Sequence, residues 1–192
     1  LMVNDFRMMD GEAAGSPAGC NGMLFLPYLT GERTPHQDER ARAGFYNIEL
    51  NHDRSDMVRA VLEGVAFSLL DAMDVIEHMG QPINRLSISG GGAVSRLWRQ
   101  IIADVFNRPL RITVNREQAG LGAAICAMVA CGEYASVYDA CDRIITYEDN
   151  VAVPNPDHRG VYEDAFGRFR ETYQANKALM HKSREAVQPE AR

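Results

Sequence analysis

The chain has 192 residues, a length that suits one domain of ordinary size. Hydrophobic residues make up 46% of it and charged residues 24%, which is typical of a globular domain with a sizeable core. The net charge is −6, and the acidic and basic residues are interspersed, which argues against the clustered Lys and Arg of a nucleic-acid surface. No apolar run approaches the roughly 20 residues that span a bilayer, and no secretory signal is visible. We therefore expect a cytoplasmic protein that binds neither nucleic acid nor a membrane.

The opening residues predict a loop-rich lead-in to two short strands. Residues 1–22 are poorly patterned, like the tail of a helix followed by turns, and the first residues do not resemble a natural start, so we expect a fragment. Residues 23–26 predict a buried strand, residues 29–43 an ordered loop, and residues 45–50 a second strand.

The first long helix is the clearest element of the sequence. Asp53 or Ser55 can cap it, and Gly80 and Pro82 end it. Gly64 in its interior costs about 1 kcal/mol relative to Ala, a cost usually repaid by close approach of another backbone. Its apolar residues recur at helical spacing and predict the buried face: Val58, Val61, Leu62, Val65, Leu69, Met73 and Ile76.

Strands and helices then alternate, which predicts α/β layers with some parallel strands in a single domain, 1–192. The predicted strands are 85–89, 110–114 and an edge strand at 144–147. One predicted helix begins near Ser95. Two further helices cover 117–131 and 136–142, and a terminal helix covers 157–185. In the terminal helix one aromatic stripe predicts core packing: Tyr162, Phe166, Phe169 and Tyr173.

The cysteines and histidines give no metal-binding pattern. Five histidines are scattered, with no third ligand near any two of them, so the sequence predicts no zinc site. None of the cysteines forms a CxxC pair, and we expect buried free thiols in a reducing cytoplasm: Cys20, Cys126, Cys131 and Cys141.

The glycine run between residues 88 and 95 is the stretch that indicates chemistry. A strand ends, Gly90, Gly91 and Gly92 follow, and a helix begins. Glycines let a ligand approach the backbone, and the helix start presents free N–H groups that suit phosphate or a polarised ring edge. Ligands in open α/β sheets bind outside the carboxyl ends of strands, where this loop lies. Alone, the run also fits a tight turn with no ligand, and it matches neither GxGxxG nor the P-loop.

A second feature is the start of the third helix, residues 117–124, which is rich in Gly and Ala. Small residues let helices or domains approach closely. The pattern fits two interpretations: tight packing within the domain, or a hinge or interdomain contact.

At these residues the chain resembles the FGGY carbohydrate kinases, and among them the xylulokinases. The most specific block is Leu26–His36, because Gly31-Glu-Arg-Thr-Pro35 has no generic structural explanation. Within that block we expect an ion pair between Glu32 and Arg33 to hold the loop. Asn47 stands where the family pattern usually has glycine, and a left-handed conformation there would suit Asn. The other similar blocks are Gly44–Ile48, Asp56–Gly64, Ser89–Gln100 and Glu117–Ala124.

The resemblance implies a ribonuclease H-like, actin-like ATPase fold: a mixed sheet flanked by helices, from which we expect the first strands to be absent. It implies a kinase that uses ATP and Mg²⁺, with the metal held mainly by the phosphates and by another domain. It implies no catalytic residue here, because the family's catalytic Asp is expected upstream of residue 1. The implied adenosine-side residues are Gly90, Gly91, Gly92, Ala93, Ser95 and Arg96.

The leading hypothesis is thus the C-terminal half of an ATP-dependent kinase for D-xylulose, inactive alone. Gluconate and other ketose or polyol kinases share much of this half. A non-catalytic nucleotide-binding module is a second hypothesis. A chaperone or filament protein of the same superfamily is a third, and the Gly31–Pro35 block argues against it. We expect ATP and ADP as ligands, weak nucleotide binding, and self-association, a homodimer included, through exposed apolar surface.

Overall fold

The computed structural model describes residues 2–115, 117–149 and 151–187. In chain order its helices and strands are α1 (Met2–Ala13), β1 (Leu24–Leu26), β2 (Gly44–Tyr46), α2 (Arg54–His78), β3 (Leu86–Ile88), α3 (Arg96–Phe106), β4 (Leu110–Ile112), α4 (Gln118–Ala130), α5 (Val137–Ile144) and α6 (Arg159–Val187). Short 3-10 turns at Cys20–Gly22, Gly91–Val94 and Pro156–His158 lie between them. The predicted order of elements is confirmed except for the edge strand at 144–147, and α1 provides the helix expected in the lead-in.

The strands form two small sheets. β1 pairs with β2 antiparallel, and β3 pairs with β4 parallel, with Leu86 opposite Leu110 and Ile88 opposite Ile112. The parallel pair, with α3 as its crossover, confirms the α/β prediction. β2 ends at Tyr46 rather than near residue 50, because Asn47 adopts the left-handed conformation (φ 57°) expected of it.

The predicted edge strand at 144–147 does not form as a strand. Ile144 belongs to α5, and the amide of Ile145 donates to Cys141 O at the helix end. Beyond the helix end only Tyr147 pairs at this edge, through a single antiparallel bridge to Thr113. Ala152 forms a second single bridge, to Leu110.

Helix α6 packs across α2, α3 and β1 and supplies the centre of the core. Tyr162, Phe169 and Tyr173 are buried, with Phe166 half-buried beside Phe67. The aromatic stripe of the terminal helix is therefore confirmed as core packing.

The predicted buried face of α2 is correct only in part: Met73 is buried and Leu62 packs against the core. Leu69 and Ile76 are 48% and 45% exposed, whereas Arg59 and Glu63 on the same helix are buried. The charges tolerate burial because they are paired: Arg59 Nε donates to Glu63 Oε1 at 2.7 Å, and the Tyr162 hydroxyl donates to the same oxygen at 2.8 Å. Hydrogen bonds and an opposite charge replace the water that these groups lose.

Gly64 of α2 lies directly against β1. A Cβ at this position would overlap the carbonyl oxygen of Phe25. The close approach of another backbone, predicted from a glycine inside a helix, is confirmed. It lets α2 and β1 pack backbone to backbone.

The cysteines are free, but the prediction that all are buried is wrong. Cys20 is buried, and its thiol donates to Glu63 Oε2 at 3.2 Å. Burial, aided by the Glu63 charge, raises the pKa of this thiol. Cys126 and Cys131 are exposed. Both lie on or just after α4, which buries only Ile125 among its residues.

In the part of the chain that the structure describes, no helix combines the length and the apolar character needed to cross a membrane.

Candidate nucleotide site

The glycine loop follows β3 directly at its carboxyl end. Gly90 has φ 74° and ψ −162°, a conformation that a residue with a side chain rarely adopts. A short 3-10 turn, Gly91–Val94, then leads into α3. A Cβ at Gly90 or Gly91 would meet no atom within 4 Å. The backbone of the loop therefore borders open space that a ligand could fill.

Ser95 stands between the loop and α3 as the helix N-cap. Its hydroxyl accepts a hydrogen bond from the Trp98 amide at 3.0 Å, which satisfies one of the free donors at the helix start. A Cβ at Gly92 would lie 3.3 Å from the Trp98 ring. The Trp98 indole thus packs against the loop at Gly92, and Ser95, as the N-cap, fixes where α3 begins.

Two adjoining cavities open beside the loop. The smaller, about 160 Å³, is lined by Ala93, Val94 and Thr113. The larger, about 400 Å³, is lined by Arg96 among others and falls within the range of about 300–1,000 Å³ typical of ligand sites. The two share Arg99, Ile112 and Glu148, and Arg99 pairs with Glu148 at 3.1 Å.

The residues predicted from the sequence take different places here. Ala93 and Arg96 line the cavities, Gly90 and Gly91 form the open edge, and Gly92 and Ser95 pack toward α3. Sequence reasoning missed Thr113, Arg99 and Glu148. Thr113 follows β4, so the rule that ligands gather at the carboxyl ends of parallel strands could have found it. Nothing in the sequence links Arg99 to Glu148, which lies 49 residues later.

The Gly31–Pro35 loop is ordered without the predicted ion pair. Glu32 is buried and accepts a hydrogen bond from the His36 amide at 2.7 Å, whereas Arg33 is exposed. Glu32 also exchanges backbone hydrogen bonds with Asp38. Glu32 therefore holds the loop through the backbone, because its buried carboxylate finds an N–H donor closer than any guanidinium.

Asp38 fastens this loop to α6. Its carboxylate accepts from the Tyr173 hydroxyl at 2.8 Å and contacts His181 Nε2 at 2.8 Å. Burial alone would raise the pKa of Asp38, but the hydrogen bonds from His181, Tyr173 and the Arg40 amide outweigh it and lower the pKa to about 2. A few residues away, His36 lies 3.3 Å from Asp71 and stacks on Tyr173. The loop is thus a clamp between α2 and α6, far from the glycine loop in the sequence.

Helix α4 leaves most of its small residues uncovered. Ala119, Gly120, Gly122, Ala123 and Ala124 are exposed, and a Cβ at Gly122 would meet no atom within 4 Å. Packing within the chain, one of the two interpretations of this stretch, accounts for Ile125 alone.

The described residues bring together no group of three or more His, Cys, Asp or Glu that could hold a metal ion. We therefore assign no metal ligand in this chain.

Comparison with known proteins identifies the family of the chain. The model of the FGGY family of carbohydrate kinases, C-terminal domain, matches residues 4–131. A xylulose kinase of Staphylococcus epidermidis is 37% identical over 167 residues, which are 87% of this chain and 34% of that protein. A gluconokinase of Bacillus subtilis is 36% identical over 128 residues, 66% of this chain and 25% of that protein.

Solved structures give the same result. A ligand-bound xylulose kinase and a gluconate kinase, both from Lactobacillus acidophilus, each superpose with a TM-score of 0.81 at 31% identity, covering 91% of this chain and 35% of theirs. The Plasmodium falciparum glycerol kinase with ADP, at 24% identity and a TM-score of 0.70, shares the fold. The chain spans about a third of the length of these relatives. Because the family model matches residues 4–131 and the solved structures are similar, the chain belongs to the FGGY family of carbohydrate kinases, as its C-terminal domain.

Proposed function

We propose that this chain holds the adenosine side of MgATP in a kinase that phosphorylates a hydroxyl of a ketose, with D-xylulose as the substrate. The full reaction would convert D-xylulose and ATP to D-xylulose 5-phosphate and ADP. The observation that carries the proposal is the open glycine loop at the carboxyl end of β3, beside the cavities that Ala93 and Arg96 line. The substrate rests on the xylulose kinases among the relatives.

The residues have distinct roles in this proposal. The backbone of Gly90 and Gly91 lets the adenosine approach where any side chain would block it, and Gly92 leaves room for the Trp98 ring that packs against the loop. Ala93 forms the wall of the smaller cavity, and Arg96 lies at the rim of the larger one with its charge available to phosphate. Ser95 positions the loop by capping α3 rather than by contacting the nucleotide. Bound Mg²⁺ would neutralise charge on the phosphates, and residues outside this chain would hold it.

The chain alone is proposed to be inactive. Phosphoryl transfer needs groups that cradle the phosphates and a residue that orients or deprotonates the acceptor hydroxyl. Of the described residues, Glu148 is the one carboxylate that lines the two cavities beside the loop, and it is paired with Arg99. Weak nucleotide binding follows, because the phosphates lack their other partners. Self-association follows too, because α4 exposes a largely apolar surface.

A kinase for gluconate is the second candidate. A gluconokinase and a gluconate kinase are among the relatives, at identities close to those of the xylulose kinases. This half of the family contributes the nucleotide side, so the sugar has to be assigned on a longer protein that contains it. A non-catalytic nucleotide-binding module is the third candidate, and it predicts binding with no sugar-dependent turnover in any such protein.

A coupled ADP-release assay tests the proposal. This chain with MgATP and D-xylulose should show no turnover above background. A longer protein containing it should release ADP with D-xylulose faster than with gluconate, glycerol or other polyols. Preference for gluconate would favour the second candidate, and no sugar-dependent release would favour the third. Turnover by this chain alone would contradict the division of the active site.

A further inference from the structure

A separate cavity lies at the amino-terminal ends of β3 and β4. It has a volume of about 390 Å³. Its lining combines three arginines with an apolar floor: Arg85, Arg108, Arg111, Ile83, Leu86 and Pro109. The glycine loop lies at the other end of the same strands, so this cavity is not part of the candidate nucleotide site.

The three arginines differ in how they are held. Arg108 donates to the carbonyl oxygen of Ile83 at 2.9 Å and pairs with Glu77 at 2.8 Å, so its charge is fixed and balanced. The guanidinium of Arg111 stacks over the Tyr147 ring, 3.7 Å from the centroid. Within the described residues neither Arg111 nor the exposed Arg85 pairs with a carboxylate. The cavity therefore has a net positive charge in a chain whose net charge is −6.

Strand geometry brings the two unbalanced arginines to one side. Leu86 is opposite Leu110, and both pack toward the core. Side chains alternate along a strand, so Arg111, next to Leu110, lies on the other face, and Arg85, which directly precedes β3, lines the cavity with it. Stacking on Tyr147 limits the rotamers of Arg111 and leaves its outer N–H groups able to donate.

From this arrangement we propose that the cavity binds the phosphate dianion of a small phosphorylated metabolite. Guanidinium groups match phosphate oxygens with paired N–H donors, and Arg85, just before β3, and Arg111, in β4, supply them. Ile83 and Pro109, apolar residues of the lining, accept the uncharged body of a phosphate ester. The inference does not depend on the proposed kinase function, because it uses none of the residues of the glycine loop.

Amide chemical shifts of the isotope-labelled chain test it, titrated with inorganic phosphate and, separately, with glycerol 1-phosphate. Saturable shifts are expected at Arg85 and at residues 108–111. Tighter binding of glycerol 1-phosphate would identify an ester as the occupant, and equal affinity would identify free phosphate. No saturable shift there, or shifts confined to Gly90–Ala93, would overturn the proposal.

Variants locate the effect. Arg85→Gln and Arg111→Gln should each weaken phosphate binding about tenfold or more, as the loss of a charge-assisted hydrogen bond does. Arg143→Gln is the matched control: Arg143 is an exposed arginine paired with Asp139 on α5, so it changes the net charge equally and should leave the affinity unchanged. Equal weakening in all three would reveal non-specific attraction and overturn the proposal. Arg85 is exposed, so its variant remains informative even where Arg111→Gln disturbs β4.

Discussion

Helix α2 buries charged side chains, whereas helix α4 exposes apolar ones. Arg59 and Glu63 of α2 lie in the interior, paired with each other and with Tyr162. In α4 only Ile125 is buried, although the helix consists almost entirely of apolar and small residues. The glycines follow the same contrast: Gly64 touches the β1 backbone, and Gly122 faces open space.

The contrast separates a region that is packed within this chain from a region whose surface is left exposed. The buried charges of α2 each meet a partner from α6 or the lead-in, so this region supports the fold: Asp56, Arg59, Glu63 and Asp71. In the described chain α4 packs against α5 but leaves most of its surface exposed, and the glycine loop is also largely exposed. Four predictions test this division, beginning with the largest effect.

Glu63→Gln should lower the free energy of unfolding by about 4 kcal/mol, because it leaves the Arg59 charge buried without its partner. Gly19, Cys20 and Tyr162 also lose an acceptor of full charge. Urea unfolding measures the change. Glu163→Gln is the control, since Glu163 forms an exposed pair with Arg159 and its loss should not be measurable. Similar effects of the two variants would mean that the buried cluster does not support α2.

Gly64→Ala should lower the free energy of unfolding by about 3 kcal/mol, because the new methyl group would overlap Phe25 O and force β1 away from α2. Thermal unfolding gives the comparison. Gly167→Ala in α6, where a Cβ meets nothing within 4 Å, should be neutral or stabilising. A neutral Gly64→Ala would contradict the close packing of α2 on β1.

Acid should weaken the clamp between the Gly31–Pro35 loop and α6. The pKa of Asp38 is about 2 in the fold, below its ordinary value near 3.9, so its contribution of about 2 kcal/mol is present above pH 4. That contribution is lost as the pH falls toward 2. Stability measured from pH 5 to pH 2 should fall less steeply in Asp38→Asn than in the unaltered chain. Asp164→Asn, a surface change, should keep the full slope. Parallel curves for all three would disprove the role of Asp38.

Gly122→Ala should raise the free energy of unfolding by up to about 1 kcal/mol, because alanine favours the helix and no neighbour obstructs its methyl group. The sign is opposite to that for Gly64→Ala. Chemical unfolding and sedimentation, run together at two concentrations, measure stability and association. A destabilised variant that also associates less would show that this face of α4 is covered in solution.

Much of the fold follows from local patterns. The interior Gly64 predicted the backbone contact, Ser95 the start of α3, and the aromatic stripe of α6 the core. The α2 prediction failed in part because periodicity counts only apolar residues, and the partners of Glu63 come from residues 19, 20 and 162. The predicted strand at 144–147 is reduced to a bridge at Tyr147, since α5 extends through Ile144.

The candidate site was predictable only where it is continuous in sequence. The glycine loop and its helix form one stretch, so residues 90–96 could be proposed together. The Arg99–Glu148 pair joins two distant segments and depends on the bridges that Tyr147 and Ala152 form to Thr113 and Leu110. A single sequence gives no indication that these two segments come into contact.

The most direct test of the central claim uses Trp98, the one tryptophan of the chain, which packs against Gly92. Its fluorescence should change saturably as MgATP is added. Gly91→Val should abolish that change, because its side chain would enter the open space without disturbing the fold. Gly167→Val, equally unobstructed in α6, should retain it. Saturable binding that persists in Gly91→Val, or no binding by the unaltered chain even at millimolar nucleotide, would contradict the assignment of the glycine loop to the nucleotide.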